Sequence, residues 1–333
     1  MVMDSFKALL IDERDGMVAS GFVRMDEGRL DSGEVTIRIA YSSINYKDAL
    51  AATGAGKIIR RFPCVGGIDL SGTVIESSDV RFKPGDQVIA TSFDIGVAHH
   101  GGYAEVARVP GDWVVPLPDG LSLYEAMALG TAGFTAALGV VRMEENGLRP
   151  EKGPVIVTGA TGGVGSLAVD MLASKGYHVV ALTGKESEAD YLRSLGAGEV
   201  MLRQSLNLEK IRPLDRARWA GAVDNLGGDV LAWIASTMEQ GGTIASIGLA
   251  ASMSLNTTVA PFILRGVSLL GIDSGYIREP YRSGVWQRLA TDLKPPHLAS
   301  MSRMIAFDEL PAIFGDFVAG RAKGRVVVEI GGS

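Results

Sequence analysis

Cysteine is all but missing from this chain. A single residue, Cys64, among 333 excludes an internal disulfide and a four-cysteine structural zinc site. Histidine is nearly as scarce: His99, His100, His178 and His297 are the four. Only His99 and His100 are adjacent, and successive side chains of an extended segment point to opposite faces. The pair therefore reads as a cleft-lining or surface loop, and no metal is expected. There is no surplus of positive charge either. Lys plus Arg number 32 and Asp plus Glu 38, a net −6, which argues against nucleic acid or an anionic membrane as a partner. No run of about 18 apolar residues is present, as a spanning helix would require. The opening MVMDSFKALLIDERDG has no apolar core behind a basic leader, so no signal peptide is expected and the cytoplasm is the expected compartment.

Glycine, by contrast, abounds: 43 of 333 residues, nearly double the usual share of about 7%. That excess predicts many tight turns and close backbone approaches, as in nucleotide-binding α/β proteins. At roughly 150 residues per domain the length predicts two domains. Short apolar runs at 7–11, 35–41, 72–75, 87–90, 104–109 and 113–117, separated by Gly, Pro, Asp and Ser, predict a β-rich segment. Ser122 and Glu125 have the spacing of a capping box before a helical stretch reaching Glu145. From Pro154 the pattern becomes strand–helix alternation, with about six strands beginning near 155, 178, 200, 222, 243 and 267. That is the pattern of a doubly wound parallel sheet. Residues after 275 lose this rhythm and end in a strand at 325–330.

The strongest local signal is Thr158-Gly-Ala-Thr-Gly-Gly-Val-Gly165. It places Ala160, Thr161, Gly162, Gly163, Val164 and Gly165 between a predicted strand and a predicted helix. Small residues at 160 and 162 let the backbone approach a pyrophosphate, Gly165 lets the helix pack close, and the helix-start amides face the anion. About 20 residues further on, NAD-binding versions carry an acid for the ribose 2′-hydroxyl. Here Thr183-Gly184-Lys185 stands there. A hydroxyl and an ammonium suit a 2′-phosphate, so NADPH is the expected cofactor. Arg203 is either a second cation at the adenine end or an exposed arginine.

The glycine loop starts about 160 residues into the chain, behind Lys83-Pro-Gly-Asp-Gln-Val88 and Gly101-Gly-Tyr-Ala-Glu105. This arrangement resembles the medium-chain dehydrogenase/reductase superfamily. The resemblance implies an α/β fold in which a Rossmann doubly wound parallel sheet (125–272) is inserted in a β-rich GroES-like catalytic domain (1–124 and 273–333). Ser42-Ser-Ile-Asn-Tyr-Lys-Asp-Ala49, the stretch 54–63, Gly130-Thr-Ala-Gly-Phe-Thr-Ala136 and Pro261-Phe-Ile-Leu-Arg265 look like the acryloyl-CoA reductase group of its zinc-free, quinone-oxidoreductase-like branch. That likeness implies an NADPH-dependent cytoplasmic homodimer reducing acryloyl-CoA to propionyl-CoA. A quinone or enone reductase of the same fold and a non-catalytic NADPH-binding protein stay open. A short-chain dehydrogenase does not, since none of the eight tyrosines has lysine four residues on. Gly67-Ile68-Asp69 stands where zinc-dependent members carry Gly-His-Glu, and Asn225 where a threonine is common.

Reduction of an unsaturated thioester needs hydride at the β-carbon, donors for the charge developing on the thioester oxygen, and a proton at the α-carbon. Asn45 is expected to donate to the oxyanion. Tyr46 is expected to contact the cofactor and to be a candidate acid. Asp48 is expected to cap a helix or orient Lys47. Lys57, Arg60 and Arg61 form the densest basic cluster of the N-terminal region; they either grip the phosphates of coenzyme A or form a solvated loop. The resemblance adds Asn225, Gly248, Leu269 and Arg325 as further cofactor contacts. Cys64 reads as a buried small hydrophobe.

Overall fold

Two-residue periodicity and one tight turn shape the first hairpin. The structure, a computed structural model, describes residues 5–331. Strand β1 (Phe6–Arg14) pairs antiparallel with β2 (Met17–Met25), Arg14 facing Met17. Asp15 and Gly16 make the connection with φ of 53° and 75°, the positive-φ pair that matches the twist of a hairpin. Strand β2 lies outside the apolar runs expected from sequence, because its exposed face dilutes them; the Asp-Gly pair is its signal. Next come β3 (Val35–Ser43), α1 (Tyr46–Thr53), β4 (Cys64–Val65), β5 (Asp69–Ser77), β6 (Gln87–Thr91), β7 (Val106–Val109), β8 (Val114–Pro116) and α2 (Leu123–Glu145). The Ser122–Glu125 capping box forms: Ser122 N donates to Glu125 Oε2 (2.9 Å) and Glu125 N to Ser122 Oγ (3.2 Å).

Helix α2 is apolar and 23 residues long, enough by length to span a bilayer, yet 89% of its apolar window is buried in the fold. It is also broken. Gly130 has φ 52° and ψ −156°, a conformation that essentially only glycine adopts.

The second unit comprises Ala132–Ser274 and Thr291–His297. It contains β9 (Val155–Thr158), α3 (Gly163–Ser174), β10 (Val179–Thr183), α4 (Ala189–Ser194), β11 (Glu199–Leu202), β12 (Trp219–Asp224), α5 (Gly228–Thr237), β13 (Met238–Ser246), α6 (Ala260–Arg265) and β14 (Ser268–Gly271). These strands form one parallel sheet in the order β11-β10-β9-β12-β13-β14. All residues of β9 and β12 are buried, as expected of central strands covered on both faces. The order reverses between β9 and β12, the switch point at whose carboxyl ends sheets of this kind bind ligands. The 291–297 segment is tied to the glycine-loop helix: His297 bonds Asp170 through its amide (2.9 Å) and Nδ1 (2.8 Å), and Lys175 pairs with Asp292 (2.8 Å).

After α7 (Tyr281–Leu289) and α8 (Leu298–Met301) the chain adds β15 (Ser302–Ala306), α9 (Leu310–Val318) and β16 (Arg325–Glu329) to the first unit. Its larger sheet runs β15-β16-β3-β5-β6-β8, with β7 also on β3, beside the small sheet β2-β1-β4. A core of Phe6, Ile37, Ile39, Leu70, Tyr103, Phe314 and Val328, among others, packs against these strands. The units divide at Thr131/Ala132 and Ser274/Gly275, later than the boundaries after 124 and 272 expected from sequence. The reason at the first is the Gly130 break inside α2.

Candidate active site

Strand β9 delivers the chain into the glycine loop. Gly159 turns at φ 57°. Its carbonyl then occupies the place of any side chain on Gly165: a Cβ there would lie 2.3 Å from Gly159 O and 2.8 Å from Ala160 Cα. Ala160 donates its amide to Leu182 O (3.2 Å) and is buried with Thr161. Gly162 is the exposed residue before α3, and Gly163 and Val164 begin that helix half-buried. First-turn amides lack intrahelical acceptors and lie at the positive end of the helix. The cradle fits a dinucleotide diphosphate, and the six loop residues named from sequence are gathered in it.

The ends of β10 and β11 meet through their parallel register, Thr183 opposite Leu202. Gly184 and Arg203 follow at adjacent tips. A Cβ on Gly184 would lie 3.8 Å from Arg203 Nη2, and Gln204 Nε2 donates to Gly184 O (3.1 Å). Thr183 Oγ1 accepts the Lys185 amide (3.0 Å), while Lys185 itself is exposed. Thr183, Gly184, Lys185 and Arg203 therefore form one tip, with no acid at the strand end itself and the exposed Glu186 directly after Lys185.

Asn225 Nδ2 donates to Thr158 O (2.7 Å) and its amide to Thr158 Oγ1 (2.9 Å). Gly248 packs on Asn225, where a Cβ would be 2.6 Å from Asn225 O. Both residues thus brace the carboxyl ends of the central strands. Leu269 lies in edge strand β14, three strands from β9, and is not gathered with the loop.

In the first unit the residues expected to do chemistry form a buried polar network. Asp48 Oδ2 accepts the Asn45 amide (2.8 Å) and Oδ1 the Ile68 amide (2.9 Å), so Asp48 does cap α1. Burial, and then the neighbouring Asp69 carboxylate, push the Asp48 pKa up to about 7. Asn45 Nδ2 donates to Asp69 Oδ2 (2.8 Å) and Asp48 Oδ2 (3.2 Å), and Asn45 Oδ1 accepts from Arg325 Nη1 (3.3 Å). Both amide hydrogens being spent on carboxylates, Asn45 is not an oxyanion donor as expected but a strut. Arg325, expected at the cofactor, lies in the same network. It is buried and donates to Ala128 O (2.9 Å), Ile44 O (3.3 Å) and Ser43 Oγ (3.1 Å), which ties its guanidinium into the network. Tyr46, by contrast, opens α1 with 54% of its surface exposed.

Sequence reasoning missed the centre of this network. Asp69 is fully buried and accepts from Ser43 Oγ (2.6 Å), Thr131 N (2.9 Å) and Thr131 Oγ1 (2.5 Å) in addition to Asn45. Gly130 enters here because a Cβ would lie 2.6 Å from Asp69 Oδ2 and 2.8 Å from Arg325 Nη2. The signals available were an acid in a β-rich apolar stretch and a glycine inside an apolar helix.

Zinc does not fit these residues. Ile68, in the place of a ligating histidine, is apolar and buried, and the Asp69 oxygens are occupied by four hydrogen bonds. Burial pushes the Cys64 thiol up to about 12, which opposes the thiolate a metal needs. Among the described residues no three His, Cys, Asp or Glu side chains gather as a metal site. His99 and His100 are buried, which departs from the surface-loop alternative of the expectation. His99 Nε2 meets Ser32 O (3.1 Å), and His100 Nδ1 accepts the Val65 amide (3.0 Å).

The basic cluster also dissolves. Arg60 pairs with Asp94 and reaches Tyr276 Oη (3.3 Å). Arg61 pairs with Asp31 (2.5 Å), and Lys57 is exposed. The two arginines face different carboxylates and share no common anion site, because each is neutralised by the loop it packs against.

Two family profiles match, the alcohol dehydrogenase GroES-like domain over residues 31–119 and the zinc-binding dehydrogenase domain over residues 163–291. The chain is 49% identical over 326 residues (98% of it and 99% of the relative) to a putative quinone oxidoreductase, YhfP, of Bacillus subtilis. It is 47% identical over 329 residues (98% and 99%) to the acrylyl-CoA reductase AcuI of Ruegeria pomeroyi. The YhdH oxidoreductase of Salmonella enterica, solved in complex with NADP, superposes with a TM-score of 0.95 at 45% identity, covering 98% of this chain and all of the other. YhfP of Bacillus subtilis, solved with NAD bound, gives 0.96 at 48%, again over 98% of this chain and 100% of the other. With a GroES-like unit, an inserted Rossmann sheet and full-length relatives of both names, this oxidoreductase belongs to the medium-chain dehydrogenase/reductase superfamily, in the acryloyl-CoA reductase group of its zinc-free, quinone-oxidoreductase-like branch.

Proposed function

We propose that this chain is an NADPH-dependent reductase of acryloyl-CoA, forming propionyl-CoA. The observation that carries the substrate is the 47% identity, over nearly the whole of both chains, to a protein named acrylyl-CoA reductase. The cofactor choice rests on the tip at Thr183-Gly184-Lys185, with the Arg203 guanidinium beside Gly184 and no carboxylate at the strand end. A 2′-phosphate gains charge-assisted hydrogen bonds there.

Bound NADPH supplies a hydride to the substrate β-carbon, and solvent supplies the proton to the α-carbon. The glycine loop and the first turn of α3 hold the diphosphate. We assign the exposed Tyr46 to the nicotinamide end of the cofactor, its helix fixed by the Asp48 cap and the Asp69–Arg325 network. Asn45, Asp48 and Arg325 act by positioning that helix. The enzyme works in the cytoplasm as a homodimer.

The test is nicotinamide oxidation, followed by absorbance, with acryloyl-CoA and with benzoquinone, each run with NADPH and with NADH. Turnover of acryloyl-CoA with NADPH alone is the expected result. Turnover of benzoquinone only would discard the thioester and leave the alternative suggested by the name of the Bacillus subtilis relative, quinone reduction.

A further inference from the structure

A cavity of about 240 Å³ in the first unit is lined by Phe93, Asp112, Trp113, Arg278 and Glu279. That is below the roughly 300–1,000 Å³ of sites that hold a whole drug-sized ligand, and suits one ring system. Two of these five residues are aromatic. Phe93 and Trp113 are stacked, with centroids 5.4 Å apart and planes 5° apart, and Tyr276 meets Phe93 edge-on at 6.2 Å. The backbone beneath is strained. Ser92 and Phe93 have φ of 66° and 49°, a left-handed pair that is costly for non-glycine residues and clusters at ligand sites. Hydrogen bonds from Ser92 N to Ile68 O (2.8 Å) and Phe93 N to Gly275 O (3.0 Å) hold it. Buried Arg282, stacked 4.7 Å over Phe93 and bonded to Thr91 Oγ1 (2.6 Å), fixes the ring from the other side. Both faces of Phe93 are thus covered, by Trp113 and by Arg282, and the half-buried Trp113 is the aromatic surface left at this space.

The polar groups around it are of two kinds. Asp112 and Glu279 are acceptors; Asp112 is held by Arg81 (2.8 Å) and Glu279 by the Ser283 amide (3.2 Å). Arg278 is an exposed cation, and Arg60 stands one residue away, hydrogen-bonded to the same Tyr276 that abuts Phe93. An aromatic plane, a carboxylate acceptor and flanking guanidinium groups are the chemistry that binds an amino-purine carrying phosphates. The adenosine of the dinucleotide has its own place, at the tip formed by Thr183, Gly184, Lys185 and Arg203. We propose that this pocket takes the adenine end of the coenzyme A thioester. The ring lies along Trp113, its exocyclic amine donates to Glu279, and Arg278 faces the phosphates. The proposal rests on the thioester reading above.

The experiment has two arms. In the first, protein saturated with NADPH, so that the dinucleotide site is filled, is titrated calorimetrically with adenosine 3′,5′-bisphosphate. Binding by the wild-type protein, weakened roughly tenfold or more in Arg278→Glu as for loss of a charge-assisted bond, is expected. No binding, or equal binding by the variant, overturns the proposal. In the second, Arg278→Glu and Trp113→Ala are assayed with acryloyl-CoA and with the acryloyl thioester of N-acetylcysteamine, which lacks the nucleotide. A raised KM for acryloyl-CoA with unchanged kcat, and no change for the short thioester, is expected. An unchanged KM for acryloyl-CoA sinks the pocket and leaves the activity standing. Should the wild type fail to reduce either thioester, the activity falls, and the titration alone decides the pocket. Because Arg278 is exposed, its variant remains informative if Trp113→Ala fails to fold.

Discussion

The carboxylate of Asp69 grips Thr131 twice, accepting its amide at 2.9 Å and its hydroxyl at 2.5 Å. This pair of hydrogen bonds fixes the residue after the Gly130 break, and it explains why the break tolerates only glycine. Alanine at Gly130 would meet both a φ of 52° and a Cβ position 2.6 Å from Asp69 Oδ2. Gly130→Ala is expected to lower stability by about 2–4 kcal/mol, from the left-handed backbone and the displaced carboxylate. Urea unfolding midpoints measure this, and an unchanged midpoint would show that the network yields without loss.

Asp48 makes stability depend on pH in a direction opposite to that of a salt-bridged acid. Burial and Asp69 raise its pKa from 3.8 to about 7 in the folded state. The folded protein thus binds the proton more tightly than the unfolded one. The stabilisation is complete below the unfolded value and is lost as pH rises through the folded one. Between about pH 5 and 7 the wild type should lose up to roughly 1.4 kcal/mol per pH unit through this group. Asp48→Asn removes the titration, so its stability curve should be flatter over that window. Parallel curves for the two proteins would mean that Asp48 stays ionised in the fold.

The glycine cradle is testable apart from chemistry. Gly165→Ala forces a Cβ against Gly159 O at 2.3 Å, so either the loop or α3 must move. NADPH affinity, read by titration of cofactor fluorescence, should fall by at least about tenfold. Retained affinity would show that the loop relaxes without disturbing the cradle.

Much of this architecture is readable in the sequence, for physical reasons that also mark where reading stops. Parallel strands buried on both faces are written as apolar runs, and Gly162 and Gly165 announce the loop because close approach admits no side chain. The Asp15–Gly16 turn announces its hairpin in the same local way. The buried network is different. Asp69 stands 62 residues before its partner Thr131, and a contact over that distance leaves no local period in the chain. Asn45 and Arg325 stand out by type and place, but their hydrogen bonds are long-range. Only the fold shows that the amide of one and the guanidinium of the other are spent within the network around Asp69.

The proposed homodimer can be tested on the second unit. Ile263 and Leu264, in α6, are 73% and 63% exposed, and β14 next to them in sequence is an edge strand with unpaired backbone groups on one side. Ile263→Glu with Leu264→Glu should halve the mass seen by light scattering, since burying two carboxylates in an apolar contact is strongly unfavourable. An unchanged dimer would place the interface elsewhere.

Cofactor choice is the sharpest test of the tip. Relatives of almost equal similarity have been solved with NADP and with NAD, so fold alone does not decide it and the local charges must. Lys185 follows Gly184 past the end of β10, and Arg203, just past β11, lies beside Gly184. A 2′-phosphate carries close to two negative charges near neutral pH, whereas a 2′-hydroxyl carries none. Reversing one cation should therefore weaken NADPH by about tenfold or more and leave NADH nearly untouched. Lys185→Glu and Arg203→Glu are each expected to narrow the ratio of the two dissociation constants, and the effect should shrink at high salt as the exposed charges are screened. If Lys185→Glu leaves the ratio unchanged while Arg203→Glu collapses it, recognition lies with the guanidinium. If neither moves it, the phosphate is bound by backbone and Thr183 alone, and the charge argument for NADPH is wrong.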